Sequence, residues 1–579
     1  MIERLNVRWL GRVSYDEADA LARSLHSRSG NYLLLLEHPH TYTLGRRGDD
    51  KNVLVEPESV GAVLRSVDRG GDVTYHGPGQ LVIYPIIDLP IWRGGLVDSV
   101  AYVRQLEQVV VDSLASIGFD AYTDPEYPGV WIGGAKVCAV GVKVEGRRTR
   151  HGVAINVDTD LSMFDHIVPC GITDRGVTSL AKITADAIAA APGAPGAPGA
   201  PGIVSSSAEN TKSLIEILAE AFVSSFIQEF DVHEVDDQSV AWREPLVLQS
   251  DERRRSIEEQ SAEAGVPVRL VTRLQAASVE VPVADPTFRR PEWMRVKADL
   301  GAEYRGLKRL VRELDLHTVC ESAGCPNIYE CWADGTATFM VLGERCTRAC
   351  GFCLIDTRLP SAPEADEPER VASAVVRMGL KHAVLTMVAR DDLDDGGAAH
   401  VAATVNAIRS ASPETRTEVL ISDLRGDLDS LDLILNENPD VVNHNIETVA
   451  RLQRAVRPSA GYARSLALLA RANAAGHVTK SGIMLGLGET LDEVSGALND
   501  LAAVGVKIVT VGQYLRPSEQ HLPVVRWWSP EEFAEVARIG EAAGINHVES
   551  GPLVRSSYHA RSSADAAASP ALLETGPTR

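Results

Sequence analysis

Cysteine, positive charge and long apolar runs are all scarce in this sequence of 579 residues. Eight cysteines cannot staple a chain of this length, which excludes a disulfide scaffold. Lysine and arginine total 57 against 79 acidic residues, for a formal net charge of −22. That excludes a general nucleic-acid binder, which needs a basic face, although it leaves room for a local basic patch. No apolar run approaches the ~18 residues of a membrane span; the longest conspicuous one is Tyr32 to Leu36. The first residues, MIERLNVRWLGRVSYDEA, carry acids and lack an apolar signal core. A soluble, cytoplasmic protein is therefore expected. What is present is ordinary for a globular chain, with 45% hydrophobic and 23% charged residues. A soft rule of ~150 residues per domain predicts about four domains.

The pattern along the chain is α/β. NYLLLLEH (31–38), QLVIYPIIDL (80–89) and KVCAVGVKV (136–144) are short, β-branched apolar runs that predict buried strands. Residues 97–117 and 211–230 carry apolar residues at helical spacing. Between residues 191 and 202 lies APGAPGAPGAPG, four triplets and too few for a collagen triple helix, so a polyproline-like insert is expected. The helix that follows must pack on something, so the insert interrupts the first domain rather than ending it. This places a first domain at 1–235, a charge-rich linker at 236–285, a second domain at 286–560 and a frayed tail at 561–579. If flexible, a linker of about 50 residues spans roughly 35–45 Å. In the second domain HAVLTMV (382–388), TEVLIS (417–422), DVVNHNI (440–446), TKSGIML (479–485) and VKIVTVGQY (506–514) alternate with helical stretches. That alternation predicts parallel βα units and a full or partial barrel.

Two regions carry candidate chemistry. RGGDVTYHGPGQ (69–80) packs five Gly or Pro into twelve residues, with Arg69, Tyr75 and His76. Such a loop lets backbone N–H groups approach a ligand, or it is a plain turn between strands. It lacks the G-x-x-x-x-G-K-S/T of a phosphate loop, so nucleotide binding is unsupported. Cys170 sits in VPCGITD, where the flanking Pro and Gly suggest a turn presenting the thiol. A nearby cation would make it a nucleophile; without one it is packing. Cys138, inside an apolar strand, fits packing. Lys136 begins that strand and reads on its own as an edge lysine.

Taken together, RGGDVTYHGPGQ, LEHPHTYTLGRR (36–47), GVWIGGAKVCAVGV (129–142), HGVAINV (151–157) and IVPCGITDRGVTSL (167–180) resemble an octanoyltransferase of the lipoyl/biotinyl protein transferase–ligase family, over residues 1–235. The resemblance implies a mixed-sheet α/β fold and a catalytic dyad of Cys170 and Lys136. It implies an acyl pocket built from Arg69, Gly70, Gly71, Asp72, Val73, Thr74, Tyr75 and His76, with Ala139, Val140, Gly141, Gly152, Val153 and Ala154. Octanoyl-acyl carrier protein would donate the acyl group to the Cys170 thiolate, and a lysine of a lipoyl domain would accept it. Amide formation drives the second step, and Lys136 would pass protons in both. For the acidic carrier, Lys143, Arg147, Arg148 and Arg150 are a candidate basic patch; the alternative is a solvated hairpin tip.

Cysteines 346, 350 and 353 form C-x-x-x-C-x-x-C, and cysteines 320, 325 and 331 form a second triplet nearby. Three thiolates hold three irons of a 4Fe–4S cluster and leave the fourth iron open. Structural zinc is the alternative, with His317 completing one site. HTVCESAGCPNIYECWADGTATFMVLGERCTRACGFC (317–353), ARDDLDDGGA (389–398), HNIETV (444–449), VRPSAGYARSL (456–466), TKSGIMLGLGET (479–490), VGQYLRPS (511–518) and GPLVRSSYHA (551–560) resemble a lipoyl synthase of the radical S-adenosylmethionine family, over 288–560.

That resemblance implies two 4Fe–4S clusters and S-adenosyl-L-methionine. Cys346, Cys350 and Cys353 would hold the catalytic cluster. Cys320, Cys325, Cys331 and Ser557 would hold an auxiliary one, with Ser556 the second choice of serine. Asn445 and Glu447 are candidate S-adenosylmethionine contacts. The implied reaction inserts sulfur from the auxiliary cluster at the sixth and eighth carbons of a bound octanoyl chain. An electron donor such as ferredoxin or flavodoxin is implied, and the acceptors would be lipoyl domains of 2-oxoacid dehydrogenase complexes and the glycine cleavage H protein.

The segment Thr386-Met387-Val388-Ala389-Arg390, and Ser422 before Asp423, depart from the pattern expected of the family. The sequence thus predicts a bifunctional lipoate-assembly enzyme. Its rivals are an ATP-dependent lipoate ligase in the first half and a non-catalytic metal scaffold in the second.

Overall fold

The structure, a computed structural model, describes residues 1–91, 97–169, 175–190, 212–240, 251–281, 290–295, 309, 313–314, 316–318 and 327–568. The chain divides into two compact units, Met1–Ser239 and Val240–Arg579.

The first unit contains strands β1 (Ile2–Arg12), β2 (Asn31–Glu37), β3 (Thr41–Leu44), β4 (Val63–Ser66), β5 (Val73–His76), β6 (Gln80–Ile86), β7 (Tyr122–Thr123), β8 (Val130–Ile132), β9 (Ala135–Glu145), β10 (Arg148–Asn156) and β11 (Val232–Ser239). Eight form a mixed sheet in the order β11-β1-β2-β6-β10-β9-β8-β7. β1 runs parallel to both its neighbours, and the remaining pairs are antiparallel. β3, β4 and β5 form a smaller sheet. β2 is apolar on both faces, as its unbroken Leu33–Leu36 run requires.

One face of the large sheet is covered by helices Ser99–Ser116 and Leu214–Glu229, which pack on each other. Asp98 caps the first, and a Ser213–Glu216 capping box starts the second. Leu218, Phe222 and Phe226 enter the same core as Leu5, Leu33 and Ile155. At ~1.5–3 kcal/mol per large apolar side chain, this burial ties the segment after the proline-rich insert to the first unit. The insert itself, 191–202, lies outside the described residues.

The second unit contains β12 (His317–Thr318), β13 (Thr336–Val341), β14 (His382–Met387), β15 (Arg416–Leu420), β16 (Val441–Asn443), β17 (Val478–Leu485), β18 (Ile508–Gln513) and β19 (His547–Gly551). They lie side by side in sequence order. β12 is antiparallel to β13, and every later pair is parallel. Helices connect the parallel strands, and no ladder among the described residues joins β19 to β12 or β13. This is an open, partial βα barrel.

Two expectations need correction. The stretch read as a linker contains helices Asp251–Ala264 and Val268–Ala276. Ile257, Leu270, Val271 and Leu274 are buried, and the second helix packs on Gln453–Val456. The Arg516 guanidinium donates to the Gly265 carbonyl at 2.7 Å. One narrow apolar stripe suffices for docking, and the surrounding charge hid it. The flexible-chain estimate therefore does not apply to residues 251–281.

The tail also begins as a helix, Ala560–Ala568. Ala560, Ser563 and Ala564 stand at i, i+3 and i+4 and are buried against the sheet. Small residues at that spacing let the backbone approach closely, a signal easily taken for low-complexity sequence. Among the described residues no helix is long and apolar enough to cross a membrane.

Candidate active sites

In the first unit, a cavity of about 50 Å³ opens between β5, β6, β9 and β10. Of the residues expected in an acyl pocket, Arg69, Gly70, Gly71, Thr74, His76, Ala139, Val140, Gly141, Gly152, Val153 and Ala154 line it. The other three do not. β5 alternates, so Val73 and Tyr75 point into a separate core with Tyr42 and Phe164. The Asp72 carboxylate instead accepts from the backbone N–H groups of Asp49 and Val73 and from Asn52 Nδ2, which braces the loop.

The cavity's shape depends on small residues. Gly141 and Gly152 face each other across β9 and β10. A Cβ on Gly152 would stand 2.2 Å from the Ile83 carbonyl oxygen, and one on Gly141 would press on Arg69 at 3.0 Å. Arg69 is itself fixed by donating to the carbonyl and hydroxyl of Thr43 at 2.8 and 2.7 Å.

Sequence reasoning missed Tyr15, Val82, Tyr84 and His151, which also line the cavity. They come from separate segments, and only the sheet order brings them together. His38, behind them, bonds the Val13 carbonyl through Nδ1 and the Tyr84 hydroxyl through Nε2. Burial pushes its imidazole down to about 4. Burial also holds His76 well below the usual histidine value, helped by the nearby Arg69 charge. Both rings are therefore neutral at pH 7.

Lys136 is buried on β9, 7% exposed, with its ammonium 4.9 Å from the Trp131 ring centroid. Its stem lies against Gly129, where a Cβ would meet Lys136 Cε at 3.2 Å. Cys170 lies outside the described residues, but the described chain on either side of it is tied down. Upstream, Val168 N–H donates to the Asn52 carbonyl at 2.8 Å. Downstream, Lys136 N–H donates to the Gly176 carbonyl, and Thr178 N–H donates to the Lys136 carbonyl, both at 2.9 Å. The strand bearing Lys136 thus anchors the chain six residues after Cys170. Cys138 is fully buried in the core, and burial pushes its thiol far up.

The expected basic patch does not form. Arg150 is buried and pairs with Asp68 at 2.6 Å, and Lys143 reaches the same carboxylate at 2.7 Å. Arg148 is buried, donating to the Leu25 and Gly30 carbonyls and pairing with Asp88. Only Arg147 is exposed, at the hairpin tip. Strand alternation and cross-strand acids, neither visible in KVEGRRTRH, turn three of four charges inward. The pairs with Lys143, His151 and Arg150 hold Asp68 far below the usual carboxylate range despite its partial burial.

In the second unit a larger cavity, about 470 Å³, lies over the C-terminal ends of the parallel strands. That is where open βα folds place their sites. Cys346, Cys350 and Cys353 line it together, with Phe352, Asn445, Glu447, Ser556 and Ser557. The thiol-bearing loop is held at many points. Thr347 N–H donates to Ala389, Gly351 N–H to Val456, and Leu522 N–H to Gly351. A side chain at Gly351 would strike Leu522 at 2.8 Å. Arg348 sits between Asp391 at 2.7 Å and Asp423 at 2.6 Å. Burial raises the Cys350 thiol to about 11 and Cys353 to about 12, so metal must displace their protons to bind.

The donor set fits an iron–sulfur cluster. Three soft thiols, Cys346, Cys350 and Cys353, line one cavity, enough to hold three irons of a 4Fe–4S cluster and leave the fourth open. The Asn445 side chain donates to Ser556 Oγ at 2.6 Å and to Glu447 at 3.1 Å, while its buried Oδ1 has no hydrogen-bond partner among the described residues. A buried, unsatisfied acceptor on a residue that lines the cavity marks a candidate ligand contact. The departures from the expected pattern, Met387, Ala389 and Ser422, all line this cavity.

Cys320 and Cys325 lie outside the described residues, and so does the side chain of His317. Cys331 is on the short helix Ile328–Ala333. That helix meets the segment holding Ser557 across more than two hundred residues. Tyr558 and His559 bond Glu330 at 3.1 and 3.2 Å, and Asn327 donates to the Leu553 carbonyl at 2.8 Å.

Comparison with known proteins agrees with this geometry. Residues 340–501 match the radical SAM superfamily, and residues 276–325 match the N-terminal domain of lipoyl synthase of the radical SAM family. Lipoyl synthases from Bacillus mycoides (strain KBAB4) and Bacillus cereus (strain G9842) are each 54% identical over 275 residues, which is 47% of this chain and 92% of theirs. The chain belongs to the lipoyl synthase family. The lipoyl synthase part is its second half, and membership implies S-adenosylmethionine and 4Fe–4S chemistry there. Residues 14–191 match the lipoyl protein ligase A/B catalytic domain, a family that contains both ligases and transferases. A structure of lipoate-protein ligase A bound with ATP is 15% identical, with TM-score 0.32, and covers 45% of this chain and 95% of that one. A ligase- or transferase-type domain joined to a lipoyl synthase places the protein in lipoate biosynthesis.

Proposed function

We propose that this protein builds the lipoyl group in two consecutive reactions on one acceptor, a lysine of a lipoyl domain. In the first, Cys170 takes octanoyl from octanoyl-acyl carrier protein as a thioester, and the acceptor lysine displaces it as an amide. The observation that carries this reading is the pair of 2.9 Å backbone bonds that join Gly176 and Thr178 to Lys136. They favour a loop that holds the thiol near a buried ammonium. Placed there, Lys136 stabilises the thiolate and passes a proton to the departing thiol. Arg69, Thr74, His76 and the glycines of β9 and β10 shape the acyl cavity. An adenylating ligase needs no thiol, so Cys170→Ser distinguishes the two. The expected result is loss of transfer; retained transfer, dependent on ATP, would overturn the assignment.

In the second reaction two sulfur atoms enter the amide-bound octanoyl chain at its sixth and eighth carbons. When bound, one 4Fe–4S cluster with S-adenosylmethionine supplies a hydrogen-abstracting radical, and a second cluster supplies sulfur. Cys346, Cys350 and Cys353 would hold the first, leaving one iron for S-adenosylmethionine near Asn445 and Glu447. Cys320, Cys325, Cys331 and Ser557 would hold the second; the contact between the Cys331 helix and the Ser557 segment supports that grouping. A hydroxyl is a weak iron ligand, which suits a cluster meant to come apart. Reduction needs a one-electron donor such as ferredoxin or flavodoxin, and the proposed compartment is the cytoplasm. Incubation of anaerobically reconstituted protein with octanoyl-carrier protein, apo-lipoyl domain, S-adenosylmethionine and reductant, read by mass spectrometry, should yield octanoylated and then lipoylated domain. Neither mass appearing would sink the proposal.

A further inference from the structure

We infer that Gln80 and Asn156 are positioning residues of the acyl-transfer site, fixing the tautomer of His76 and pinning the chain after Cys170 to Lys136. This rests on the acyl-transfer reading above. Four buried polar groups form one directed chain between the acyl cavity and Lys136. His76 Nδ1 lies 2.8 Å from Gln80 Oε1. Gln80 Nε2 lies 3.0 Å from both the Tyr75 carbonyl and Asn156 Oδ1. Asn156 Nδ2 lies 3.1 Å from the Thr178 carbonyl. Thr178 N–H then donates to the Lys136 carbonyl at 2.9 Å. His76, Gln80, Asn156, Thr178 and Lys136 are all buried, at 6%, 1%, 4%, 6% and 7% exposure.

The direction of every bond is decided by two backbone carbonyls, which only accept. The Tyr75 carbonyl requires an N–H from Gln80, so the Gln80 amide nitrogen faces it and the amide oxygen faces His76. That oxygen also only accepts, so His76 carries its proton on Nδ1. A neutral ring with Nδ1–H presents a lone pair at Nε2, and His76 lines the acyl cavity. An amine entering with its N–H groups then meets an acceptor instead of a competing donor. At the other end the Thr178 carbonyl requires the Asn156 nitrogen. That bond holds the short stretch whose neighbours Gly176 and Thr178 ladder onto Lys136. Neither Gln80 nor Asn156 titrates or touches the reacting atoms, so each acts through its neighbours.

The test uses the full chain and two variants. Asn156→Asp keeps the acceptor toward Gln80 and removes the donor toward Thr178. Gln80→Met keeps the length and removes all polarity. Each should lower kcat for octanoyl transfer by about tenfold or more, while KM for the octanoyl donor changes by less than about twofold. A purely structural role would lower the melting temperature and leave kcat per folded molecule unchanged. Nitrogen-15 NMR of histidine-labelled protein, with the His76 signal assigned by its loss in His76→Asn, should show Nδ1–H in the wild type and loss of that preference in Gln80→Met. A wild-type proton on Nε2 overturns the inference even if neither variant folds, and wild-type kcat in a folded variant removes the positioning role of that residue. Cys170→Ser, assayed in parallel, separates the two claims. Transfer surviving in Cys170→Ser removes the acyl-transfer reading. Transfer lost there but normal in Asn156→Asp removes only the positioning roles.

Discussion

The two cavities differ in size and in the groups that line them. In the first unit, about 50 Å³ is lined by side chains braced on other parts of the unit, from Arg69 on Thr43 to His76 on Gln80. In the second, about 470 Å³ is lined by three thiols, and Asn445 keeps an unmatched oxygen. The contrast follows from where each proposed chemistry comes from. Proton transfer between a thiol and a lysine uses only groups the chain already owns, and Lys136 is held in place in advance. Chemistry that depends on a loaded group needs room and unsatisfied donors until loading. Below the second cavity lies a buried charge cluster that supports the sheet. There Glu418, fully buried, pairs with Lys480 at 3.0 Å and accepts from Asn443 at 2.8 Å, with His382 at 3.4 Å.

The strongest way to separate the two regions is to remove one thiol. Cys353→Ala should abolish sulfur insertion and leave octanoyl transfer at the wild-type rate, so octanoylated lipoyl domain accumulates in the mass spectrum. Iron content should fall by about four atoms per chain. Equal loss of both products would mean that the regions are not independent.

The reciprocal experiment is Lys136→Met. It should slow octanoyl transfer by about 10²–10⁴-fold, while a lipoyl domain supplied already octanoylated is still lipoylated normally. A transfer rate within threefold of the wild type would return Lys136 to the role of a packing residue.

Next in size is Lys480→Met, which leaves Glu418 buried without its cation and should destabilise the second unit by about 3–5 kcal/mol. Denaturant unfolding followed by the unit's own tryptophans would measure it. The pH dependence has a definite sign. Burial alone would raise the Glu418 carboxyl, but Lys480, His382 and Asn443 hold it down to about 2, against an ordinary value of 4.5. Its stabilising contribution is therefore complete above about pH 4.5 and lost as pH falls toward 2. The variant should lose that acid-sensitive component, and an unchanged acid profile would contradict the assignment.

The smallest effect is expected at Arg147→Glu. Its neighbours Arg148 and Arg150 are occupied internally, so one exposed hairpin charge should change KM for the carrier protein by less than about twofold. A severalfold rise that vanishes with salt would restore a surface role for this hairpin.

Much of the architecture was legible because local pattern and burial agree. The apolar runs at 31–38, 80–89 and 136–144 became β2, β6 and β9, and the five runs of the second half became β14 to β18. β1 and β10 were harder to see. β1 breaks its apolar pattern with Glu3, Arg4, Asn6 and Arg8, and the Arg8 guanidinium is buried by pairing with Asp236 on β11. β10 hides Arg148, Arg150 and His151 in the same way. A buried charge is legible only once its partner is known, and these partners lie far away in sequence. The docking of the helices at 251–276, whose sequence showed helical potential but no clear core pattern, and the helix at 560–568 were hidden for a related reason. Each docks through one thin stripe, and charged or small residues dominate the rest.

By itself the sequence determined the chemistry on offer: three thiols at a fixed short spacing, a second triplet beside them, a thiol between Pro169 and Gly171, and one lysine at the start of a strand. Spacing along a loop sets what a few neighbouring residues can hold together, and that information is local. Only the tertiary structure decided which groups meet. It set Gly141 against Gly152, turned Val73 and Tyr75 away from the cavity, and brought the Ser557 segment onto the Cys331 helix. It also aimed a chain of amides from His76 to Lys136. Those contacts depend on sheet order, strand alternation and the demand that every buried donor find an acceptor, and these conditions exist only once the chain has folded.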